Sequence, residues 1–425
     1  MRRRPVPLVL ASLFCSSAGS ILLTTALGKL VFDLGHRELD LGFLGLAEFA
    51  PAALLVLLTG SVADRADRRH VAAVALVGEV VTVVLMGAYL TSHPTAPGPV
   101  FGLVFLFGIA RAFAAPTTRA LPADVVEPED LPRVIPQVSA CWQVAAIVGP
   151  ALAGLLLDVA PRLAFVVAGA LQLVAAAAVV AVPMPQPRRG LDVVEADAML
   201  AVVAEAAAHD PAAAPSMPRG RLAEAVEGLR FIRRQPVLLG AISLDLFAVL
   251  FGGAVALLPA IAETRLGAGA VGFGWLRAAG GIGAAATTAL LALRPVRRNV
   301  GRWLLAVVAV FGGATIVLGA TRTYAVAFVA MAVLSGADAV SVFVRSTLVP
   351  LVTPVDKRGR VLAVENVFIG ASNELGAFES GVVGQFLGPA TAVVLGGLAT
   401  IGIAALWADR FPALRSTDRF PESVN

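Results

Sequence analysis

Charged residues are scarce in this sequence. Asp, Glu, Lys and Arg make up 15% of the 425 residues, where a soluble domain has about 25%. Aromatic residues are also few, at 6%, so alanine, valine and leucine supply most of the 58% hydrophobic content, and 41 glycines add further small residues. Apolar runs of roughly 18 to 25 residues, the length of a membrane span, recur along the chain. The composition therefore predicts an all-α polytopic membrane protein whose helices pack closely through small residues.

Cysteine and histidine are few, and they form no metal-binding cluster in the sequence. Cys15 and Cys141 each lie within an apolar run, where free core thiols are expected rather than a disulfide. The four histidines lie in loops or at the ends of spans. The sequence contains no phosphate-binding GxxxxGK[ST] and no HExxH motif. An ATP-driven pump is therefore disfavoured, and a membrane-embedded enzyme would lack convergent catalytic side chains. We expect no metal and no cofactor.

Hydropathy predicts about twelve spans in two sets of six. We expect the first apolar run to be a retained span, because it continues past Leu30 and is too long for a signal peptide. The predicted domains are an N-terminal six-helix bundle (1–182), a cytoplasmic central loop (183–236), a C-terminal six-helix bundle (237–409) and a tail (410–425). The predicted spans cover roughly residues 7–32, 41–62, 70–91, 98–121, 135–158, 161–182, 237–262, 269–293, 301–320, 323–350, 360–388 and 389–409.

Basic residues alternate between the loops. One side carries most of the arginines, including Arg2 to Arg4, Arg65 to Arg69 and Arg294 to Arg302, and the other has few. The positive-inside rule then predicts that both termini and the central loop lie in the cytoplasm. The expected location is the cell membrane. The net charge of +4 reflects this topology, and no nucleic-acid partner is expected.

The central loop ends in an amphipathic stretch, RGRLAEAVEGLRFIRRQP. Leu222, Val226, Leu229 and Ile232 share one face of a helix there, with charged residues opposite. Such a helix suits the inner membrane surface, and an equally good interpretation is a helical linker packed on cytoplasmic loops. An Ala-rich stretch earlier in the loop (192–210) predicts another short helix.

The eleventh apolar run contains charged and polar residues, and a basic segment precedes it. After Pro350, a short loop carrying Lys357, Arg358 and Arg360 is expected before the run begins. At 100° per residue, Glu365, Ser372 and Glu379 share one face, and Glu374 points nearly opposite. Carboxylates in such a span are costly unless they face protein or water. Asn366, Asn373 and Ser380 lie on the flank of the first face.

The segment between spans two and three, GSVADRADRRHV (Gly60–Val71), resembles the loop signature of the major facilitator superfamily. Gly60, Asp64, Arg65, Arg68 and Arg69 match, and Asp67 stands where a glycine is usual. The resemblance implies that Asp64 faces the N-terminus of span eleven. It also implies that Arg68 pairs with an acid at the cytoplasmic end of span four, for which Asp124 is placed. These residues would form a conformational latch.

Span five contains IVGPALAG, which resembles the antiporter signature of the same superfamily. Gly149, Pro150 and Gly154 match, although Ala145 and Ala153 replace two glycines. The alternative is ordinary packing of small residues. GPALAG recurs as GAFESG about 227 positions later, at Gly376–Gly381. This repeat indicates two parallel halves with a binding site between them.

The whole chain resembles this superfamily, most closely the branch that includes the enterobactin exporter. The stretches that carry this likeness are RAFAAPTTRALP (Arg111–Pro122), EGLRFIRRQP (Glu227–Pro236), ALLPAIAETRLGAGAVGFGWLRAAGGIGA (Ala256–Ala284) and TPVDKRGRV (Thr353–Val361). The resemblance implies a major facilitator fold, with twelve transmembrane helices in two pseudo-symmetric six-helix bundles. It implies a monomer that exports a small organic molecule, such as a siderophore or drug, with the proton motive force instead of a cofactor. A lysophospholipid transporter or flippase is the alternative.

Charged and polar residues inside the spans are the candidates for proton coupling or for lining a substrate cavity. We hypothesise that at least one of Glu365, Glu374 and Glu379 takes up a proton from outside and releases it inside. The alternative is structural pairing, such as Glu374 or Glu379 with Arg345 or Arg277. Span one adds serines at four-residue spacing, a stripe suited to a cavity wall. The remaining candidates are Ser16, Ser20, Arg111, Asp245, Arg277, Asp338, Arg345 and Asn373.

Overall fold

A computed structural model of the chain describes residues 6–65, 67–92, 94–126, 129–183 and 221–421. Regular structure in these ranges is helical throughout. The predicted Ala-rich helix and Arg2 to Arg4 lie outside them. The described helices are α1 (Val6–Gly35), α2 (Glu38–Arg65), α3 (Arg68–Thr91), α4 (Gly98–Val125), α5 (Leu131–Val159), α6 (Pro161–Ala181), α7 (Arg221–Arg234), α8 (Pro236–Phe251), α9 (Leu258–Thr264), α10 (Ala270–Leu293), α11 (Val300–Ala320), α12 (Tyr324–Val352), α13 (Val355–Leu387), α14 (Pro389–Arg410) and α15 (Pro412–Arg415).

Each predicted span has a helical counterpart. Among the described residues, nine helices are long and apolar enough to cross a membrane, or ten if the bent pair α7 and α8 is counted as one span. Helices α2 and α13, the counterparts of predicted spans two and eleven, fall outside that set, and α13 carries the polar residues noted above. Prolines inside α2, α4, α5 and α12 are compatible with membrane helices, where neighbouring groups satisfy the freed carbonyls.

Predicted span seven is broken, which the hydropathy did not indicate. Helix α8 ends at Phe251, and a turn containing Gly252 and Gly253 precedes α9. A Cβ on Gly253 would lie 2.6 Å from the carbonyl oxygen of Gly376 in α13. The chain therefore needs glycine at this break, because α13 approaches its backbone too closely for a side chain.

The predicted loop before span eleven is helical instead. Helix α13 begins at Val355, so Lys357, Arg358 and Arg360 lie in its first two turns. Pro354 is the N-cap residue, with φ −55° and ψ 147°, and Asp356 lies in the first turn. A fixed proline φ before the helix and a carboxylate near its positive end both favour this earlier start.

The chain divides into two compact units, Met1–Leu34 with Ala47–Arg219 and Gly35–Leu46 with Gly220–Asn425. In the first unit, buried apolar residues of α1, α3, α4, α5 and α6 form one core, including Val9, Leu76, Leu121 and Val179. In the second, residues of α8, α11, α12 and α14, such as Leu244, Leu304 and Leu348, form another. The start of α2 belongs to the second unit, whereas residues 1–182 were predicted to form one bundle. The predicted domain boundaries otherwise stay a prediction.

Candidate functional site

A buried cluster of three charges joins three helices of the second unit. Arg345 of α12 lies between Asp245 of α8 and Glu365 of α13. Its Nη2 is 3.0 Å from Asp245 Oδ1, and its Nη1 donates to Glu365 Oε1 at 3.4 Å. The side chains of all three residues are less than a tenth exposed. Two carboxylates therefore share one guanidinium, and with both ionised these three side chains carry a net charge of −1.

Apolar side chains enclose this cluster on one side. Val349 follows Arg345 by one helical turn, and Ile242 and Val361 precede Asp245 and Glu365 by about one turn. Together with Leu238 and Val364 they form a buried core. An apolar surrounding strengthens the attraction between opposite charges and raises the cost of any unbalanced one. The charge balance of the cluster is consequently sensitive to a single proton.

A pocket borders the cluster on another side. Asp245 lines it, together with Asp338 and Ser341 of α12 and the aromatic ring of Phe311. Ser341 is 4% exposed, and its Oγ has no hydrogen-bond partner among the described residues. The other lining residues are apolar. The pocket has a volume of only about 10 Å³, which is room for about one water molecule beside these polar groups.

The other two carboxylates of the α13 span, Glu374 and Glu379, lie further along the helix than Glu365. Glu374 is buried beside the start of α2, where a Cβ on Gly45 would lie 2.6 Å from Glu374 Oε2. Glu379 is half-buried, with Ser380 Oγ 3.5 Å from its Oε2. Asp245 and Glu365 pair with Arg345, and the alternative pairing of Glu374 or Glu379 with Arg345 or Arg277 stays a prediction. Asn373 and Arg277 are partly buried on α13 and α10.

Close packing between α13 and the start of α2 was missed by the sequence reasoning. A Cβ on Gly42 would lie 3.1 Å from Phe378 Cα, and one on Gly381 would lie 2.9 Å from the Glu38 carbonyl oxygen. The ring centroids of Phe43 and Phe378 are 5.6 Å apart. Glycines three residues apart in both segments were the available signal, since small residues let helices approach closely.

In the first unit, Arg111 of α4 is 6% exposed, and its guanidinium carbon is 5.7 Å from the centroid of the Phe107 ring. That distance is compatible with a cation–π contact. Glu48 of α2 and Glu79 of α3 are buried in the same unit. The structure thus places charged groups inside both units.

Ser20, in the serine stripe of α1, contacts another helix. Ser20 is 2% exposed, and its Oγ accepts a hydrogen bond of 2.8 Å from Gln172 Nε2 of α6. Gln172 also reaches the Ser16 carbonyl oxygen at 3.4 Å. Ser20 therefore belongs to the contact between α1 and α6, and a cavity-lining role of the stripe stays a prediction. A single glutamine in an otherwise apolar span was the signal for Gln172.

The predicted latch is described only in part. Arg68 and Arg69 open α3, while the side chains of Gly60, Asp64, Arg65 and Asp124 lie outside the described part of the chain. Asp67, which replaces the usual glycine, is the N-cap residue of α3. Its Oδ1 accepts a hydrogen bond of 2.9 Å from the Arg69 N–H, and its φ of −62° and ψ of 112° need no glycine. The departure from the motif is thus a helix cap.

The environment of Asp67 favours its ionised form. Slight burial raises the pKa of Asp67, but hydrogen bonds from Arg69 and His70 and the nearby positive charge outweigh it, so the pKa lies below the usual 3.8. His70 Nδ1 lies 2.9 Å from Asp67 Oδ2. The carboxylate also lies at the positive end of the α3 dipole.

The small residues of span five pack against span one. Gly149, Pro150 and Gly154 are buried in α5. A Cβ on Gly149 would lie 3.1 Å from Ile21 Cβ and 3.3 Å from the Ala18 carbonyl oxygen of α1. The position thus accepts little more than glycine. Whether the motif also serves antiport stays a prediction.

Comparison with known proteins identifies the family. Residues 9–377 match the sequence profile of the Major Facilitator Superfamily. The chain belongs to this superfamily, and it is a multi-pass membrane transporter rather than an enzyme. No protein of curated function matches its sequence.

Solved structures share the fold at low sequence identity. The human organic anion transporter MFSD10 (TETRAN) is 18% identical with a TM-score of 0.59, covering 95% of this chain and 99% of that one. An inward-facing bacterial homologue of the human lysosomal transporter Spinster is 15% identical with a TM-score of 0.67, covering 98% and 97%. A POT family transporter in complex with 5-aminolevulinic acid is 10% identical with a TM-score of 0.72, covering 97% and 96%.

Proposed function

We propose that this transporter exports a small organic molecule in exchange for protons by alternating access, with Glu365 and Asp245 as the proton-exchanging pair. The observation that carries the proposal is the sharing of Arg345 by two buried carboxylates. Two carboxylates meet one guanidinium, so protonation of either carboxylate would make the net charge of these three side chains zero. Intramembrane carboxylates of this kind mark proton pathways in transporters.

The geometry supports competition between substrate and proton. Asp245 contacts both Arg345 and the pocket, where Asp338 and Ser341 provide further polar groups. A cationic or hydrogen-bonding group of the substrate that approached Asp245 would attract this carboxylate and keep it ionised, so a proton held by the cluster would leave. With the pocket empty, one proton restores the charge balance around Arg345. Exchange of substrate for a proton follows from this competition.

The direction and the substrate class come from resemblance. The matched Gly149, Pro150 and Gly154 of the antiporter signature favour export, and the likeness to the enterobactin-exporter branch favours a siderophore or drug. Small organic molecules also appear among the structural relatives, as an organic anion transporter and a complex with 5-aminolevulinic acid. We place the protein in the cell membrane with both termini cytoplasmic, as a monomer that uses the proton motive force without a cofactor.

Transport by reconstituted protein tests this proposal. Proteoliposomes with an internal pH dye would receive catecholate and other siderophores, lipophilic cations and lysophospholipids in turn. We expect one soluble class to drive proton movement that is lost in Glu365→Gln. Glu374→Gln is the matched control, because it neutralises another buried carboxylate of α13, nine residues beyond Glu365 and on nearly the opposite helix face. Unchanged coupling in Glu365→Gln, Asp245→Asn and the combined variant would sink the proposal. Movement of lysophospholipid alone would favour the lipid transporter.

A further inference from the structure

Helix α7 has two different faces, and among the described residues only one of them packs against protein. Gly228 is buried, and a Cβ there would lie 2.9 Å from the Arg360 carbonyl oxygen of α13. Ile232 is 1% exposed within the core that also contains Val361 and Val364. Glu227 on the edge of this face is 2.9 Å from Arg360 Nη1. The packed face is thus fixed to the start of α13.

The predicted apolar face of α7 is mostly left uncovered. Val226 is 48% exposed and Leu229 is 37% exposed, and of that face only Ile232 is described as buried. Arg230, Arg233 and Arg234 are exposed on the same side. Successive residues advance by 100°, so these five side chains occupy an arc of about 140° opposite the packed face. The apolar stripe therefore needs a partner other than α13.

The direction of α7 suits a membrane surface. Its axis is bent by 109° from that of α8 across Gln235. Because α8 corresponds to predicted span seven, α7 runs nearly parallel to the membrane plane at the end of that span. Valine and leucine beside arginines on one exposed face match an interfacial helix, whose apolar side chains enter the bilayer while its cations bind headgroups.

We propose that the exposed face of α7 binds the anionic phospholipid surface of the membrane, with Val226 and Leu229 inserted and the three arginines on lipid phosphates. Charge complementarity selects this occupant. The exposed arc carries three positive charges, while Glu227 is directed to Arg360 on the packed side. A neutral bilayer would bind the two apolar residues but would give the arginines no favourable electrostatic interaction.

Lipid binding at α7 has a consequence for α13. Gly228 packs against Arg360, and a Cβ on Gly228 would lie 3.3 Å from Val364 Cγ2. Val364 immediately precedes Glu365. Anionic lipid would hold the first turns of the helix that carries the proposed proton site, and this consequence alone rests on the proposed function. Binding itself is tested without any transport measurement.

A fluorescent probe on α7 tests the proposal. Cys15 and Cys141 would be replaced by serine, and Val226→Cys would be labelled with bimane in vesicles of phosphatidylcholine with or without phosphatidylglycerol. Quenching by brominated lipid chains reports insertion, and quenching by iodide reports exposure to water. We expect phosphatidylglycerol to increase insertion at Val226. The same label at exposed Ser416→Cys provides the water-exposed reference.

Arginine variants test the selectivity. Changing Arg230, Arg233 and Arg234 to glutamine should lower the ratio of inserted to exposed probe about fivefold per arginine, and on the order of a hundredfold together. Arg294→Gln, Arg297→Gln and Arg302→Gln form a charge-matched control on another exposed basic segment and should change little. A Val226 probe as exposed to iodide as Ser416 in both vesicles would overturn lipid binding. Equal insertion in both vesicles and in the α7 triple variant would overturn the preference for anionic lipid.

Discussion

Replacing Arg345 by glutamine should destabilise the protein much more than neutralising either of its carboxylate partners. The guanidinium lies 3.0 Å from Asp245 and 3.4 Å from Glu365. At an effective dielectric constant of about 20, each attraction is on the order of 5 kcal/mol before the cost of desolvation. Arg345→Gln leaves two buried carboxylates facing one another, and breaking a buried pair in this way costs roughly 3–5 kcal/mol.

The carboxylate variants differ because they preserve a balanced pair. Asp245→Asn leaves Arg345 with Glu365, and Glu365→Gln leaves Arg345 with Asp245. Each amide can still accept a hydrogen bond from the guanidinium, so each loss should be about 1–2 kcal/mol. The combined Asp245→Asn and Glu365→Gln variant removes both negative charges of the cluster and should cost more than the sum of the two.

Thermal unfolding of purified protein in detergent near neutral pH measures these differences. The triple variant Arg345→Gln, Asp245→Asn, Glu365→Gln removes all three charges, so it should recover much of the stability lost in Arg345→Gln. Such non-additivity is the mark of groups in one network. Equal losses of stability in Arg345→Gln and Glu365→Gln, or strictly additive losses in the triple variant, would show that the three side chains do not form one coupled network.

Three further predictions concern contacts outside this cluster. Asp67→Ala should cost about 1 kcal/mol at the start of α3, and Asp67→Asn much less, because only alanine lacks a capping oxygen. Because the pKa of Asp67 is depressed, the charge-dependent part of this cap is present above about pH 4 and is lost as the pH falls below that value. Amide hydrogen exchange at Arg69 measures the effect of the substitutions and of pH. Protection that is independent of pH and of Asp67→Ala would count against the cap. Gly149→Leu should destabilise the protein by about 1–3 kcal/mol by overpacking Ile21, with partial rescue by Ile21→Ala, and a stable Gly149→Leu protein would contradict the contact. Gly45→Ala should displace the Glu374 carboxylate and lower the melting temperature, and Glu374→Ala should relieve the loss; equal effects of Gly45→Ala in both backgrounds would argue against this clash.

Most of the fold was predictable because its signal is local. Long apolar runs and arginine-rich loops predicted the helices, and the membrane transporter class followed from the loop motif at Gly60–Val71. The break in span seven was missed because hydropathy averages over Gly252 and Gly253 without registering the approach of α13. The early start of α13 was missed because its basic first turns resemble a loop in composition, although Pro354 and Asp356 are typical of a helix start.

The candidate site was predictable in its residues but not in its pairing. Asp245, Arg345 and Glu365 were all recognised as charges inside spans. Which carboxylate meets the guanidinium depends on the rotation and tilt of α8, α12 and α13, which are far apart in sequence. Helical periodicity alone places Glu374 on the opposite face from Glu365, yet both are buried, because α2 covers the second face.

The two faces of helix α7 show again that periodicity does not predict which side of a helix packs against another helix. Periodicity predicted one apolar face that would make the contact, but the packed face is centred near Gly228, with Ile232 as its edge. A glycine scores poorly as an apolar residue, although it permits the closest approach to the backbone of α13. Hydrophobicity therefore identified the surface that α13 leaves uncovered more clearly than the one it covers.

Proton release on substrate binding is the most direct test of the account. Detergent-solubilised protein in weakly buffered solution would be mixed with a substrate found in the vesicle panel, and the change in pH would be followed with a dye. We expect substrate binding to release protons from the wild-type protein and from Glu374→Gln. We expect little or no release from Glu365→Gln combined with Asp245→Asn. Tight substrate binding to the wild type with no release across the pH range would contradict proton exchange at the Arg345 cluster.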